Sequence, residues 1–166
     1  MSGSGGSTPA LRRSAEEQAR VDGGLREIFE RQIAFNQVLG LKITSVRPGD
    51  VRGAFEMRPE LVGHFAYGRL HGGVISAVLD AMGGLALMVA IAERHAHETA
   101  AQVMHRFSRM GTIDLRIDYL RPGIGKRFVA STDVTRLGGR VGSVQMKLVN
   151  EEGTLIATGA AAYIVS

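Results

Sequence analysis

The chain has 166 residues, enough for one domain with a sizeable core, and no Cys, which excludes disulfides, thiolate zinc sites and cysteine nucleophiles. Its formal net charge of +4 is carried mainly by Arg, without a basic run, a Trp or the aromatic ladder of single-strand nucleic-acid binders. Nucleic acid is therefore not expected as a partner, and an anionic small ligand suits the surface at least as well.

The N-terminal stretch MSGSGGSTPALRRS is Ser/Gly-rich and lacks the apolar segment of a secretory signal, so residues 1–22 read as a flexible tail preceding a domain over 23–166. Nothing here asks for an oxidising compartment, and a cytoplasmic location is expected. Ser14 and Glu17 have capping-box spacing, which predicts a short helix over 14–21 with little contribution to the core. A firmer helix is expected from Leu25 to Leu39, with Leu25, Ile28, Phe29, Ile33 and Phe35 on one side and Gly40 as its stop. Leu41 to Arg47 and Val51 to Met57 read as two strands joined by the turn Pro48-Gly49-Asp50. Pro59 to Arg69, containing His64 and Tyr67, is an irregular link that delivers the chain to the start of a long apolar helix.

Leu70 to Glu93 is the stretch around which the rest is organised. Between Gly72 and Ala92 its only polar side chains are Ser76 and Asp80, so the helix it predicts must be buried in a core or a bilayer. At 100° per residue, Gly73, Ser76, Ala77, Gly83 and Gly84 fall on the same side as Asp80, whereas Val74, Ile75, Val78, Met82, Leu85 and Val89 form a bulky opposite side. The Asp at mid-helix and the well-patterned strands downstream argue against membrane insertion.

Arg94 to Arg109 is polar and predicted helical, with Val103, Met104 and Phe107 as its packing side; it reads equally as a pocket cap, a subunit contact or a solvated extension. Four strands follow, with Ile113, Leu115, Ile117 and Tyr119 alternating against Asp114, Arg116 and Asp118 in the first. The others carry Phe128 to Val134, Val141 to Val149 and Leu155 to Val165, with hairpin turns at Leu137-Gly138-Gly139-Arg140 and Glu151-Glu152-Gly153. Two strands, one long buried helix and four more strands make an antiparallel α+β domain.

Burying a lone carboxylate is expensive, so Asp80 requires an explanation. It is either a satisfied buried Asp bonded to Ser76 one turn earlier or a general base or nucleophile. Gly72 and Gly73 at the helix entrance leave the first backbone N–H groups accessible at the positive end of the helix dipole, where an oxyanion would be stabilised. Eight residues separate Gly72 from Asp80, roughly 12 Å along the helix, too far for both to act on one carbonyl. If both act, they come from two copies, across a symmetric interface. No G-x-S-x-G elbow, metal-binding His spacing, P-loop or dinucleotide fingerprint is present.

His71-Gly72-Gly73, Asp80 nine residues after the His, and TIDLRIDYLRPG at 112–123 together resemble hotdog-fold acyl-CoA thioesterases of the phenylacetate-degradation, 4-hydroxybenzoyl-CoA thioesterase-like type, over roughly residues 33–165. The resemblance implies a hotdog fold, an antiparallel sheet wrapped around one long central helix, in a homodimer or a dimer of dimers. It implies hydrolysis of an acyl-CoA thioester, with Gly72 N–H polarising the carbonyl and Asp80 of the partner activating water or attacking directly. His71 either caps the helix or bonds the preceding loop, fixing that backbone, with a direct proton-transfer role as the further alternative, and Gly73 and Ser76 beside it would contact substrate. Many family members carry an Asn six residues before the His; here that position is Phe65, with His64 adjacent as a substitute. The coenzyme A phosphates would be held by Arg and Lys at the dimer edge, with Arg121, Lys126 and Arg127 around one turn and Arg136 and Arg140 around another as the candidates. Neither a metal nor a further cofactor is needed. Two other readings of the same groove are a non-catalytic acyl-CoA-binding module and a hotdog enoyl-thioester hydratase.

Overall fold

The structure, a computed structural model, describes residues 12–166. Half of the stretch expected to be a flexible tail, residues 1–11, lies outside the described residues. Helix α1 (Ala15–Glu27) starts where the capping residue predicts: Ser14 Oγ accepts from Glu17 N–H at 3.1 Å. It is longer than expected and runs through position 22, and its Val21 and Leu25 are fully buried, so its contribution to the core is substantial. The single helix expected over 25–39 is broken. A wide π-turn over Ile28–Gln32 ends at Ile33, whose backbone is extended, and α2 (Ala34–Leu39) restarts beyond it. Buried Asn36 closes the kink by donating to Phe29 O at 3.1 Å. Gly40, at φ 69°, ends α2 in the left-handed conformation that glycine adopts without strain.

Strands β1 (Lys42–Arg47) and β2 (Asp50–Glu56) form the expected hairpin, and the link to the central helix contains a small hairpin of β3 (Val62–His64) and β4 (Arg69–Leu70). After α3 (Gly72–Arg94) and the short α4 (Ala100–Arg106) come β5 (Gly111–Tyr119), β6 (Arg127–Leu137), β7 (Val141–Asn150) and β8 (Leu155–Ile164). The main sheet is antiparallel in the order β1-β2-β6-β7-β8-β5. It curves around α3, whose Ile75, Val78, Leu79, Met82, Leu85 and Leu87 are buried against Phe55, Phe128, Met146 and Leu148 of the strands. α3 is long and apolar enough to cross a bilayer, and here it is the core helix of the domain.

The 94–109 segment is a packed element. Thr99 caps α4 with the full reciprocal box to Gln102, Val103 is buried, and Glu17 of α1 accepts from Ala100 N–H at 2.8 Å. α4 and α1 thus hold each other at the C-terminal end of α3, where the Arg13 guanidinium donates to Ala92 O and His95 O at 2.6 and 2.7 Å. The coverage of α3 is incomplete on one side. Gly73 is exposed there, and Ser76, Ala77, Asp80, Ala81, Gly84 and Met88 are only half-buried. β5 borders that side as an open edge of the sheet.

Candidate functional site

The entrance of α3 is built by His71 and the two glycines after it. His71 Nδ1 accepts the Gly73 N–H at 2.8 Å, which satisfies one of the orphan donors of the first turn. His71 N–H in turn donates to Leu61 O at 2.9 Å, tying the cap to the preceding link. Tyr119 at the end of β5 donates through its hydroxyl to Gly72 O at 3.0 Å, and its ring would lie 3.3 Å from a Cβ at position 72. A side chain at position 72 would press on the ring and oblige it to shift by a few tenths of an ångström. Among the described residues the Gly72 N–H has no hydrogen-bond acceptor. It sits at the positive end of a helix about 35 Å long and opens on a groove of about 350 Å³ lined by Arg69, Leu70, Gly72, Ile75, Tyr119 and Arg121.

Asp80 lies two turns further along. The expected bond from Ser76 is not made, because Ser76 Oγ instead donates to Gly73 O at 3.1 Å. The Asp80 carboxylate is held by two hydroxyls that sequence reasoning missed. Thr112 Oγ1 donates to Oδ1 at 2.8 Å, and the Tyr163 hydroxyl lies 3.0 Å from Oδ1 and 2.8 Å from the Asp80 carbonyl oxygen. Burial first, then the charge of Asp80, pushes the Tyr163 phenol far above its usual range, so it stays protonated as a donor. Asp80 Oδ2 has no hydrogen-bond partner among the described residues, and Asp80 itself is only half-buried, on the incompletely covered side of α3.

Both hydroxyls reach Asp80 through features of the sheet. Thr112 pairs with Tyr163 across β5 and β8, and a bulge at Ile113 resets the alternation immediately afterwards. Leu115 and Ile117 therefore still face the helix, Thr112 does so as well, and Ile113 is pushed out to 58% exposure. Tyr163 fits because Gly83 has no side chain: a Cβ there would stand 2.3 Å from the Tyr163 hydroxyl. The small-residue side of α3 thus serves in part to admit this ring. A Thr opening a strand, and a lone Tyr among alanines in GAAAYI, were the available signals; neither identifies a partner without the register.

The remaining expected residues divide into near and far sets. His64 packs its ring against Phe65 and Tyr67 on the β3–β4 hairpin beside the α3 entrance, with its buried Nδ1 lacking a partner among the described residues, whereas Phe65 is 95% exposed. Arg121 lines the groove at Gly72 and an adjoining one of about 550 Å³ that also contains Lys126 and Glu151. Glu151 is held below the usual carboxylate range, chiefly by the Lys126 backbone N–H, so the second groove has an acidic wall beside its basic one. Arg127 is 3.5 Å from Glu56. Arg136 and Arg140 belong to the opposite end of the molecule. β6 runs from Arg127 to Leu137, and nine residues of strand separate Arg127 from Arg136 by about 30 Å. Within one chain they cannot join Arg121 and Lys126 on one ligand at the Gly72 groove.

An antiparallel sheet around one helix, with a free N–H at its entrance and a carboxylate on its open side, defines the class, and comparison with known proteins agrees. The family model described as "Thioesterase superfamily" matches residues 67–157, over half of the chain. The chain belongs to the thioesterase superfamily: it is a thioester hydrolase with the hotdog fold. It is 39% identical to the medium/long-chain acyl-CoA thioesterase YigI of Escherichia coli K12 over 152 residues, 92% of this chain and 96% of that protein. It superposes with a TM-score of 0.87 on the crystal structure of a Shewanella oneidensis protein related to the thioesterase superfamily, at 39% identity, covering 92% of this chain and all of that one. A protein of Halobacterium salinarum named as an esterase candidate is 29% identical over 134 residues, 76% of this chain and 81% of its own.

Proposed function

We propose that the chain is an acyl-CoA thioesterase working as a homodimer, with a composite site made of Asp80 from one subunit and the Gly72 N–H from the other. The observation that carries this is the pairing of two unfinished groups, an unpartnered N–H and a half-buried carboxylate oxygen, on one helix but roughly 12 Å apart. A two-fold partner docked along the open β5 edge, which exposes Ile113 and Tyr119, would lay its α3 antiparallel over the uncovered side and bring the groups together.

In this reading the thioester carbonyl oxygen accepts from Gly72 N–H, where the helix dipole stabilises the developing oxyanion. Asp80 acts as general base. Oδ2 takes a proton from water as the hydroxyl adds to the carbonyl carbon, and the tetrahedral intermediate collapses to the acid and the coenzyme A thiolate, which recovers the proton. Arg121 and Lys126 hold the phosphates of coenzyme A along the two adjoining grooves. Arg127 is partly neutralised by Glu56 and contributes less. The apolar side of the Gly72 groove, Leu70, Ile75 and Tyr119, suits an acyl chain, and the name of the Escherichia coli relative supports medium to long chains as the substrate class.

The test is thiol release from short, medium, long and aromatic acyl-CoAs by wild type, Asp80→Asn and Gly72→Pro, alone and mixed. Both variants should be inactive alone, and mixing with proven subunit exchange should recover up to about a quarter of wild-type activity per total protein, since only mixed dimers hold an intact site. No recovery after exchange would refute the two-chain site. Wild type that binds acyl-CoA but releases no thiol would refute the enzyme assignment.

A further inference from the structure

The geometry points to Tyr163 as a positioning residue that fixes which oxygen of Asp80 reacts; the inference rests on the proposal that Asp80 is the base. A carboxylate on a helix turns about its side-chain bonds and presents either oxygen. Here the Tyr163 hydroxyl bridges the Asp80 side chain to the Asp80 backbone, 3.0 Å from Oδ1 and 2.8 Å from the carbonyl oxygen, and so ties the carboxylate to the helix that carries it. Thr112 donates to the same Oδ1 from β5. Both donors occupy one oxygen and leave Oδ2 without a donor among the described residues.

The phenol is more than a packing group in this place. Its ring is buried at 3% exposure against Gly83 and Met146, a seat that phenylalanine would also fill. What phenylalanine lacks is the donor. The Asp80 carbonyl oxygen sits mid-helix, where the backbone ladder supplies a donor four residues on, so loss of the hydroxyl leaves the fold intact. The groups facing the Asp80 carboxylate are Thr112 from β5 and Tyr163 from β8, with Ser76 on α3 itself turned to Gly73 O; no Lys, Arg or His forms an ion pair with Asp80 among the described residues. Removing the phenol therefore removes one of the two donors that hold Oδ1 in place and leaves Thr112 alone to orient the carboxylate.

The experiment is Tyr163→Phe beside Asp80→Asn in the full-length protein, read as kcat and KM on a medium-chain acyl-CoA, with thermal unfolding of each. The expected result is a fall in kcat of about tenfold for Tyr163→Phe with KM within twofold of wild type. Tyr163→Phe with kcat unmoved, while Asp80→Asn is inactive, would leave Tyr163 as packing alone and overturn the inference. An active Asp80→Asn would remove the proposed base, and the inference with it.

Discussion

Replacing Gly83 by Ala sets two effects of opposite sign against each other. In an exposed helix interior the change is worth about 1 kcal/mol in favour of Ala, because glycine gives up more backbone entropy on folding. At position 83 the added Cβ would stand 2.3 Å from the Tyr163 hydroxyl and 3.0 Å from Met146 Sδ, both well inside normal contact. The Tyr163 ring is buried and cannot swing into solvent, so the strain falls on the core, where overpacking costs about 1–3 kcal/mol. Displacing the hydroxyl from the Asp80 carboxylate adds about 1–3 kcal/mol. Overpacking wins, and the net loss is about 3 kcal/mol, or a Tm lower by about 6–12 °C for a chain of this size. Gly23 in α1 is the control, since a Cβ there meets nothing within 4 Å; Gly23→Ala should raise Tm by about 2–4 °C. Differential scanning calorimetry of both variants at one protein concentration decides the matter. Should Gly83→Ala prove as stable as Gly23→Ala, the close packing of Tyr163 against α3 is wrong.

Three further results are expected. His71→Ala removes the acceptor of the Gly73 N–H and should cost about 1 kcal/mol in urea unfolding, with most of it restored by His71→Asn, whose side chain can cap the same position. Val21→Ala should destabilise by about 2 kcal/mol in the same assay, although the residue lies in a segment whose sequence reads as a tail. The Ala100 backbone N–H, followed by Arg20, holds Glu17 below the usual glutamate value of 4.5. A lowered folded-state value stabilises the fold above the unfolded one and is lost as pH falls through the folded one. Wild type should therefore lose part of the α1–α4 attachment on acidification below about pH 4.5, and Glu17→Gln should be weaker at pH 7 but less sensitive to acid there, as read by hydrogen exchange at Ala100.

Much of this protein is written locally. The apolar run from Gly72 to Ala92 can only be a buried helix, the period-two strands with their turns build a sheet to enclose it, and the His-Gly-Gly entrance exposes an N–H because glycine and helix geometry leave it so. Asp80 stands out for the same reason, as the one charge in that run. The break at Ile33 was not legible, since the apolar spacing carries on through a kink that Asn36 closes from inside the fold. Nor was the company of Asp80. Thr112 and Tyr163 lie 32 and 83 residues away, and they meet it because a bulge at Ile113 turns one hydroxyl inward while Gly83 leaves room for the other. Arg136 and Arg140 look as eligible in the sequence as Arg121 and Lys126, and only the length of β6 separates them. Composition and periodicity fix which residues enter elements and which side of each is apolar, because those follow from interactions between near neighbours; which side chains finally share one carboxylate depends on strand register and a bulge, which exist only once the sheet has closed on the helix.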